Sequence, residues 1–222
     1  MSNTILEKYS TIKFSIPKHI TLVAVSKTKP IESIQELYNV GQRVFGENRV
    51  QELVEKYDRL PKDINWHLIG HLQRNKVKYI APFVEMIHSI DSERLLDEVN
   101  IQGGKNNRKI KVLLQFFIAQ EETKFGFDWN EIQELFKIRN PESFHSIDFC
   151  GVMGMASFSD DENQVRNEFK KLKQIFDQLK VTFFSTSTTF CEISMGMSGD
   201  YQLAIEEGST MVRVGSSLFG SR

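Results

Sequence analysis

Thr21-Leu-Val-Ala-Val-Ser-Lys27-Thr-Lys-Pro30 is a short apolar run that ends abruptly in a lysine. The run has hardly a polar side chain and predicts a strand buried on both faces, as the strands of parallel sheets and barrels are. Pro30, with its fixed φ and missing N–H, suits the first turn of a following helix. Lys27 is therefore expected at the carboxyl end of a strand, where α/β folds carry their chemistry. Taken alone, a lysine at such a position is more often a solvated loop residue.

The same order of apolar run and amphipathic segment repeats along the chain. The apolar runs predict strands at residues 21–26, 43–46, 64–69, 83–90, 110–118, 146–151, 181–185 and 211–214. Strands that alternate with helices, without a linker between them, favour an α/β fold of the closed (β/α)8 TIM barrel type over an open doubly wound sheet. We expect residues 1–20 to form a leading helix and linker and residues 21–222 to form the barrel, with no second β-domain.

Several helices carry recognisable start signals. Asp91 is predicted to cap one helix. Asp128 with Glu131, and Ser159 with Glu162, have the spacing of capping boxes. The second box opens a long helix with the apolar stripe Val165, Phe169, Leu172, Phe176 and Leu179.

The composition is that of a globular chain without polyanion-binding or membrane features. Of the 222 residues, 40% are hydrophobic and 26% are charged, which suffices to bury one core. A net charge of −1, with both signs interspersed, gives no reason to expect a nucleic-acid partner. No apolar run approaches the roughly 18 residues of a spanning helix. The first residues also lack the pattern of a signal peptide, so we expect a cytoplasmic protein without a membrane partner.

The cysteines and histidines do not form a metal-binding pattern. Cys150 and Cys191 match no metal or redox spacing and are predicted to be reduced thiols packed as small apolar groups. His67 and His71 lie four residues apart, but Gly70 interrupts them and no carboxylate stands in register with them. We therefore predict no zinc site and no other metal site.

Glycine and serine are frequent in two late segments, Ser194-Met-Gly-Met-Ser-Gly-Asp200 and Met211-Val-Arg-Val-Gly-Ser-Ser217. In a barrel these segments fall in the loops after the seventh and eighth strands, which often bind phosphate. Gly215 allows close approach of its backbone, and Ser198 and Ser216 offer hydroxyl groups to an anion. Small residues also populate ordinary loops, so the segments alone leave both interpretations open.

Two polar residues lie at positions that the predicted fold would bury or direct toward the barrel mouth. Arg213 lies inside the apolar eighth strand, where an unpaired charge would be costly. Its partner could be a phosphate, a carboxylate or a heteroaromatic ring nitrogen of a ligand, or a buried glutamate of the protein. Asn48 follows the second strand directly, which places an amide that can donate and accept either at the barrel mouth or at a helix cap.

Six motifs follow one another along nearly the whole chain. They are Ala24-Val-Ser-Lys-Thr-Lys-Pro30, Phe45-Gly-Glu-Asn48, Trp66-His-Leu-Ile-Gly-His-Leu-Gln73, Lys124-Phe-Gly126, Gly151-Val-Met-Gly-Met155, and Ser194-Met-Gly-Met-Ser198 with Val212-Arg-Val-Gly-Ser216. Each motif is weak alone, but together they are specific. With them the chain resembles the pyridoxal phosphate homeostasis protein family, which is similar in fold to the N-terminal barrel of bacterial alanine racemase and binds pyridoxal 5′-phosphate (PLP).

Carried over position by position, the resemblance implies a role for each candidate residue. The lysine that holds PLP as a Schiff base, a covalent aldimine, falls on Lys27, and the arginine that faces the pyridine nitrogen falls on Arg213. Asn48 falls where the family lines the ring pocket. The phosphate contacts fall on Ser198, Gly215 and Ser216. Gly199 departs from the pattern, because members of the family often carry an acidic residue there.

The resemblance implies a binding and delivery protein that maintains intracellular PLP (vitamin B6) and amino-acid balance without catalytic turnover. The alternative is a PLP-dependent amino-acid racemase or decarboxylase, which needs groups that protonate or deprotonate the substrate carbon and an electron sink. Arg213 cannot give a proton to a ring nitrogen as a carboxylic acid can. A third hypothesis is a barrel enzyme that acts on a phosphorylated metabolite through a Schiff base on Lys27.

We expect no catalytic residues, because no second domain is predicted that could supply an opposing base above the barrel mouth. The expected partners are PLP and apo forms of PLP enzymes. A monomer is the expected state.

Overall fold

Eight parallel strands close into one barrel in the computed structural model, which describes residues 4–119 and 126–220. The strands are β1 (Thr21–Val25), β2 (Val44–Glu47), β3 (Asn65–Leu68), β4 (Met86–Ile90), β5 (Ile110–Gln115), β6 (Ile147–Met153), β7 (Glu192–Ser194) and β8 (Met211–Val214). Each strand pairs with the next one along the chain, and β8 pairs with β1 to complete the ring. The predicted (β/α)8 barrel is confirmed.

Helices surround this barrel. They are α1 (Ile5–Ser15), α2 (Ile31–Asn39), α3 (Val50–Arg59), α4 (Val77–Ile80), α5 (Glu93–Lys105), α6 (Trp129–Ile138), α7 (Glu162–Thr182), α8 (Tyr201–Glu206) and α9 (Ser216–Phe219). The leading helix α1 begins with a capping box of Thr4 and Glu7. It is tied to the barrel by the Tyr9 hydroxyl, which donates to Gln42 Oε1 at 3.3 Å.

The pleat of the strands separates two apolar clusters, because alternate side chains point to opposite faces. The larger cluster lies between the barrel and the helices and includes Trp66 and Phe169. The smaller one fills the barrel interior with Val23, Met86, Leu113, Cys150, Met153 and Met211. In β1 the row that starts with Val23 continues through Val25 to Lys27, and both of these later residues line a cavity at the barrel mouth.

The seventh strand is misplaced in the sequence prediction. Residues 181–185 form the end of α7 and the turn after it, since the apolar stripe of α7 carries the helix to Thr182. Phe184 packs against other aromatic rings there, with its ring stacked on Phe190 at a centroid distance of 4.1 Å. The true strand, Glu192–Ser194, has polar residues at both ends and pairs with β6 and β8. It therefore lacks the apolar run that marks the other strands.

One of the two predicted capping boxes is correct. Asp128 and Glu131 bond reciprocally at the start of α6, as predicted. The box of Ser159 and Glu162 is wrong, because Asp161 caps α7 and accepts the first free N–H groups of the helix. The Ser159 hydroxyl instead accepts from the N–H of Asp161, the N-cap residue, at 3.1 Å.

Other boundaries differ by one to several residues. Ser92, rather than the predicted Asp91, stands at the N-cap of α5 and makes no side-chain capping bond. The sequence also predicts a helix over residues 198–207, but α8 begins only at Tyr201, and its end before Gly208 is as expected.

The fourth and fifth strands are shorter than their apolar runs. The run at residues 83–90 begins with Phe83, whose ring stacks on Tyr57 at a centroid distance of 3.8 Å, and β4 itself starts at Met86. The strand β5 likewise ends before the predicted residue 118. Packing of apolar side chains in loops thus extends both patterns beyond the hydrogen-bonded strands.

Candidate functional site

A cavity of about 630 Å³ opens at the carboxyl ends of the strands. Its walls come from the end of β1, the junction of β2 with α3, and the segments that follow β6, β7 and β8. All six predicted site residues line it: Lys27, Asn48, Ser198, Arg213, Gly215 and Ser216. The fold therefore brings together residues from both ends of the chain, at the face where barrels carry their active and binding sites.

The backbone around Lys27 is held on both sides. Lys27 itself is half-buried in the turn between β1 and α2. Before it, the carbonyl of Ser26 accepts a hydrogen bond from Lys56 Nζ at 2.7 Å. After it, the N–H of Thr28 donates to Glu52 Oε1 at 2.5 Å. These charged partners from α3 fix the direction in which the Lys27 side chain leaves the barrel rim.

Lys56 and Glu52, which bond to the backbone on either side of Lys27, are joined to a buried ion pair that the sequence analysis missed. Lys56 Nζ lies 2.7 Å from both Glu47 Oε1 and Glu52 Oε1. Lys56 and Glu47 are 5% and 0% exposed. Burial raises the pKa of the Glu47 carboxyl, and the Lys56 charge opposes that rise. The available signal was the position of Lys56, one turn after Leu53 on the buried face of α3.

The second lysine of this turn has other contacts. Lys29 Nζ donates to the carbonyl of Gly220 at 3.0 Å, on the outer side of the barrel mouth. Thr28, between the two lysines, has a positive φ of 63°, a conformation that non-glycine residues rarely adopt. This turn separates the directions of the side chains, so that Lys27 is the one that lines the cavity. Lys124, which belongs to one of the six motifs, lies outside the described residues.

Asn48 lies between β2 and α3 with its amide oxygen buried. The N-cap of α3 is Arg49, so the capping role considered for Asn48 is not found. Asn48 Oδ1 has no hydrogen-bond partner within residues 4–119 and 126–220. Gly70 presses against this segment, and a Cβ at Gly70 would lie 2.4 Å from the carbonyl oxygen of Asn48. A polar group of a ligand would satisfy the amide oxygen, as buried polar atoms require.

Hydroxyl and backbone N–H groups gather at another wall of the cavity. Ser198 Oγ accepts from the N–H of Gly215 at 3.1 Å and from that of Ser217 at 3.4 Å. The Ser217 hydroxyl returns a bond to the Ser198 carbonyl at 3.3 Å. The loops after β7 and β8 are thereby tied together, and Ser216 lies exposed beside them. Such a set of N–H and O–H donors suits an anion.

The loop after β7 ends at Asp200. It stands at the N-cap of α8, and its Oδ1 accepts from the Met197 N–H at 2.5 Å. Burial raises the pKa of the Asp200 carboxyl. Its charge is also the one that attracts Arg213 across the cavity.

Arg213 is 4% exposed and bonds to neutral groups. Its Nη1 donates to Ser194 Oγ at 2.6 Å, and its Nη2 donates to the carbonyl of Gly154 at 3.1 Å. No glutamate or aspartate of the described chain forms an ion pair with it, so the buried-glutamate alternative is not found. Burial lowers the pKa of Arg213 to about 10, which still leaves the guanidinium charged at neutral pH.

The partner of Arg213 belongs to a buried polar chain that the sequence analysis did not find. Ser194 Oγ lies 3.0 Å from His88 Nδ1, and His88 Nε2 lies 2.8 Å from His67 Nδ1. Burial lowers the pKa of His67 to about 3 and that of His88 well below its usual value. The available signal was the position of His67, His88 and Ser194 within strands, where every second residue faces the barrel interior.

Metal binding has no support in the part of the chain that the structure describes. His67 is engaged with His88, and the half-exposed His71 pairs with Asp91 at 3.1 Å. Within residues 4–119 and 126–220, no three His, Cys, Asp or Glu side chains are grouped as ligands.

Both cysteines are free thiols, as predicted, but Cys191 is exposed rather than packed as an apolar group. Cys150 is buried within the barrel, and burial raises its pKa to about 12. At neutral pH it is therefore a protonated apolar group and a poor nucleophile.

Comparisons with known proteins identify the family of the chain. The family model described as alanine racemase, N-terminal domain, matches residues 2–222. A pyridoxal phosphate homeostasis protein of Aquifex aeolicus is 41% identical over 202 residues, which cover 90% of this chain and 86% of the relative. The chain belongs to the pyridoxal phosphate homeostasis protein family. The human pyridoxal phosphate homeostasis protein is 39% identical over 211 residues, which cover 90% of this chain and 76% of the human protein.

Solved structures extend the likeness to the three-dimensional fold. PipY of Synechococcus elongatus, solved with PLP bound, superimposes with a TM-score of 0.87 at 33% identity, covering 98% of this chain and all of PipY. Alanine racemase of Bartonella henselae has a TM-score of 0.75 at 19% identity, covering 98% of this chain and 62% of the racemase, and shares the fold alone. In the described ranges of the chain, no helix is long and apolar enough to span a membrane.

Proposed function

We propose that this chain binds PLP in the cavity at the barrel mouth, holds it covalently through Lys27, and acts in PLP (vitamin B6) and amino-acid homeostasis as a carrier without catalytic turnover. The observation that carries the proposal is that a primary amine, a buried guanidinium and a cluster of N–H and O–H donors line one cavity. The family and the PLP bound in PipY support it.

The residues of the cavity fit the chemistry of PLP, which carries an aldehyde, an aromatic ring with a basic nitrogen, and a phosphate. Lys27 Nζ would form a C=N bond with the aldehyde carbon while the aldehyde oxygen leaves as water. Ser198, Gly215 and Ser216 would hold the phosphate at one wall of the cavity. The two serine hydroxyls would donate to it, and the Gly215 N–H, which donates to Ser198 Oγ in this structure, would be shared with it. Asn48 would contact the ring with the amide whose oxygen is buried and unbonded in the described structure.

Arg213 favours a carrier over an enzyme. A guanidinium only donates hydrogen bonds and keeps its protons near neutral pH. Facing the ring nitrogen, it would leave that nitrogen unprotonated, so the bound ring would be a weak electron sink. A strong electron sink would help a racemase or decarboxylase to stabilise charge at the substrate carbon.

The ionisable side chains that line the cavity also favour a carrier. Besides Lys27 and Arg213, the ionisable side chains among the described lining residues are Asp160 and Asp200. Asp200 accepts the Met197 N–H, and Asp160 is exposed to solvent. Neither is arranged with a partner as a base for a carbon acid. Apo forms of PLP enzymes are the proposed recipients, in the cytoplasm, and the proposed state is a monomer.

The covalent link is tested by loading the purified protein with PLP, recording its visible absorption, reducing it with borohydride and mapping the labelled peptide. We expect the pyridoxyl group on Lys27. Lys27→Ala should lose the absorption band, and Lys29→Ala, a matched control from the same turn, should keep it. A label on Lys29, Lys76 or Lys124 in the unmodified protein contradicts the assignment.

The carrier role is tested separately with the loaded protein. It should transfer PLP to an apoenzyme and should exchange the α-hydrogen of amino acids with deuterated solvent no faster than free PLP does. Rapid, stereospecific exchange would make the protein an enzyme. Binding of pyridoxal as tight as that of PLP would refute the phosphate role of Ser198 and Ser216.

A further inference from the structure

Four polar side chains cross the barrel interior in one hydrogen-bonded line. They come from β3, β4, β7 and β8 and lie in the order His67, His88, Ser194, Arg213. Each of them is 4% exposed or less. Barrel interiors are ordinarily filled by layers of branched apolar side chains, so a polar layer directly below the binding cavity is a departure from the common pattern.

The arginine gives this line a direction. A guanidinium has no acceptor, so Ser194 Oγ must accept from Arg213 Nη1. The Ser194 hydroxyl proton is then free to be donated to His88 Nδ1. Ser194 is fully buried, so its proton needs an acceptor, and His88 Nδ1 is the neighbour placed to accept it. His88 then carries its own proton on Nε2, from where it is donated to His67 Nδ1. Every hydrogen bond in the line is satisfied when both imidazoles are neutral.

The direction has an effect on Arg213. Hydrogen bonds that run the same way polarise one another, so a serine that donates to an imidazole is a better acceptor for the guanidinium. With Nη1 held by Ser194 and Nη2 by the Gly154 carbonyl, the plane of the guanidinium is fixed at the cavity wall. A fixed donor binds more tightly than a mobile one, because less rotamer freedom is lost on binding.

We infer that His88 and Ser194 are positioning residues for PLP, which act through Arg213 by fixing the orientation of its guanidinium toward the ring. The inference rests on the proposed PLP binding. Neither residue is among those that line the cavity, so neither would touch a cofactor bound there. Their effect on binding has to pass along the hydrogen bonds.

The first arm of the test is nuclear magnetic resonance of the five histidines of the chain, with ring ¹⁵N labelling and without PLP. We expect a neutral Nε2–H tautomer for His88, and a changed His88 signal in Ser194→Ala. A His88 protonated on Nδ1 would overturn the inference, because the line would then run in the opposite direction. This arm reports on the line even if the protein fails to bind PLP.

The second arm measures the PLP dissociation constant and the visible absorption maximum of variants. Ser194→Ala and His88→Leu should weaken binding by about tenfold or more, the scale of one charge-assisted hydrogen bond, and should shift the absorption maximum. His88→Asn can accept from Ser194 through Oδ1 and should stay within about threefold of the unmodified protein. The control is Ser209→Ala, which removes a buried hydroxyl outside the line.

The outcomes separate the inference from the proposed function. If the unmodified protein does not bind PLP, the proposed function fails. If it binds PLP but Ser194→Ala and His88→Leu bind equally well, or if Ser209→Ala loses as much affinity as they do, the inference is overturned. A His88→Asn variant indistinguishable from His88→Leu overturns it as well. If the variants at Ser194 and His88 do not fold, the His88 tautomer in the unmodified protein decides.

Discussion

Acid should destabilise the folded protein through His67, and the size of the effect follows from its burial. His67 is 3% exposed, and burial lowers its pKa from 6.5 to about 3, with a further contribution from the charge of Lys111. Above pH 6.5 both the folded and the unfolded chain leave this imidazole neutral. Below pH 6.5, His67 takes up a proton in the unfolded chain but stays neutral in the folded chain, so the free energy of unfolding falls.

The magnitude is that of one proton taken up on unfolding. Between pH 7 and pH 5 the unfolded His67 passes from mostly neutral to mostly protonated, which removes about 2 kcal/mol from the free energy of unfolding. His88 acts in the same direction, because burial, His67 and Arg213 lower its pKa as well. Glu47 opposes both, since burial raises its pKa and the folded state takes up the proton first. A difference between two variants isolates His67 from these other groups.

Urea unfolding of the unmodified protein and of His67→Gln at pH 7 and pH 5 measures this difference. Glutamine stays neutral and can keep a hydrogen bond to His88, so its free energy of unfolding should fall by about 2 kcal/mol less over this range. His145→Gln, which replaces an exposed histidine, is the control and should fall as the unmodified protein does. Parallel falls in the unmodified protein and His67→Gln would refute the assignment of a buried, neutral His67.

Two further predictions concern the frame of the site. Lys56→Met should lower the free energy of unfolding by about 3 to 5 kcal/mol in urea, because it leaves the Glu47 charge buried without its partner, and the double variant with Glu47→Gln should recover part of that loss. An unchanged stability of Lys56→Met would contradict a buried pair. Gly70→Ala should cost about 1 to 3 kcal/mol and weaken PLP binding, because its Cβ would meet the backbone of Asn48. Gly199→Ala, whose Cβ has nothing within 4 Å, is the control, and equal losses in the two alanine variants would count against the close contact.

The fold was predictable where one local pattern decides an element, and not elsewhere. The run before Lys27 is apolar because β1 is buried on both faces, so its sequence alone identifies the strand. The strand β7 could not be found this way, because Glu192 and Ser194 make polar contacts while only Ile193 carries the apolar signal. Phe184 supplied a false signal nearby, since a ring packed in a turn is as apolar as one packed in a strand.

The site was predictable to the extent that its residues follow strands directly. Lys27 and Arg213 were found from their positions relative to apolar runs, and both line the cavity. The residues that hold Lys27 and Arg213 in place were not predicted. Lys56 and His88 act on them from other elements, and which side chains meet across a barrel depends on strand register and closure, which no local window of sequence contains.

The polar layer in the barrel joins acid sensitivity to cofactor positioning. Met86 and Met211 belong to the apolar cluster of the barrel interior, and two residues further along the same strands stand His88 and Arg213. With a fully apolar layer at this level, the free energy of unfolding would fall less in acid. Such a layer has no histidine that stays neutral in the folded chain but takes up a proton in the unfolded chain. It would also leave the guanidinium without the acceptor at Ser194, and a buried charge needs such partners. Substitutions of His88 that lessen the loss of stability in acid are therefore expected to loosen Arg213, because the same buried imidazole causes the one and supports the other.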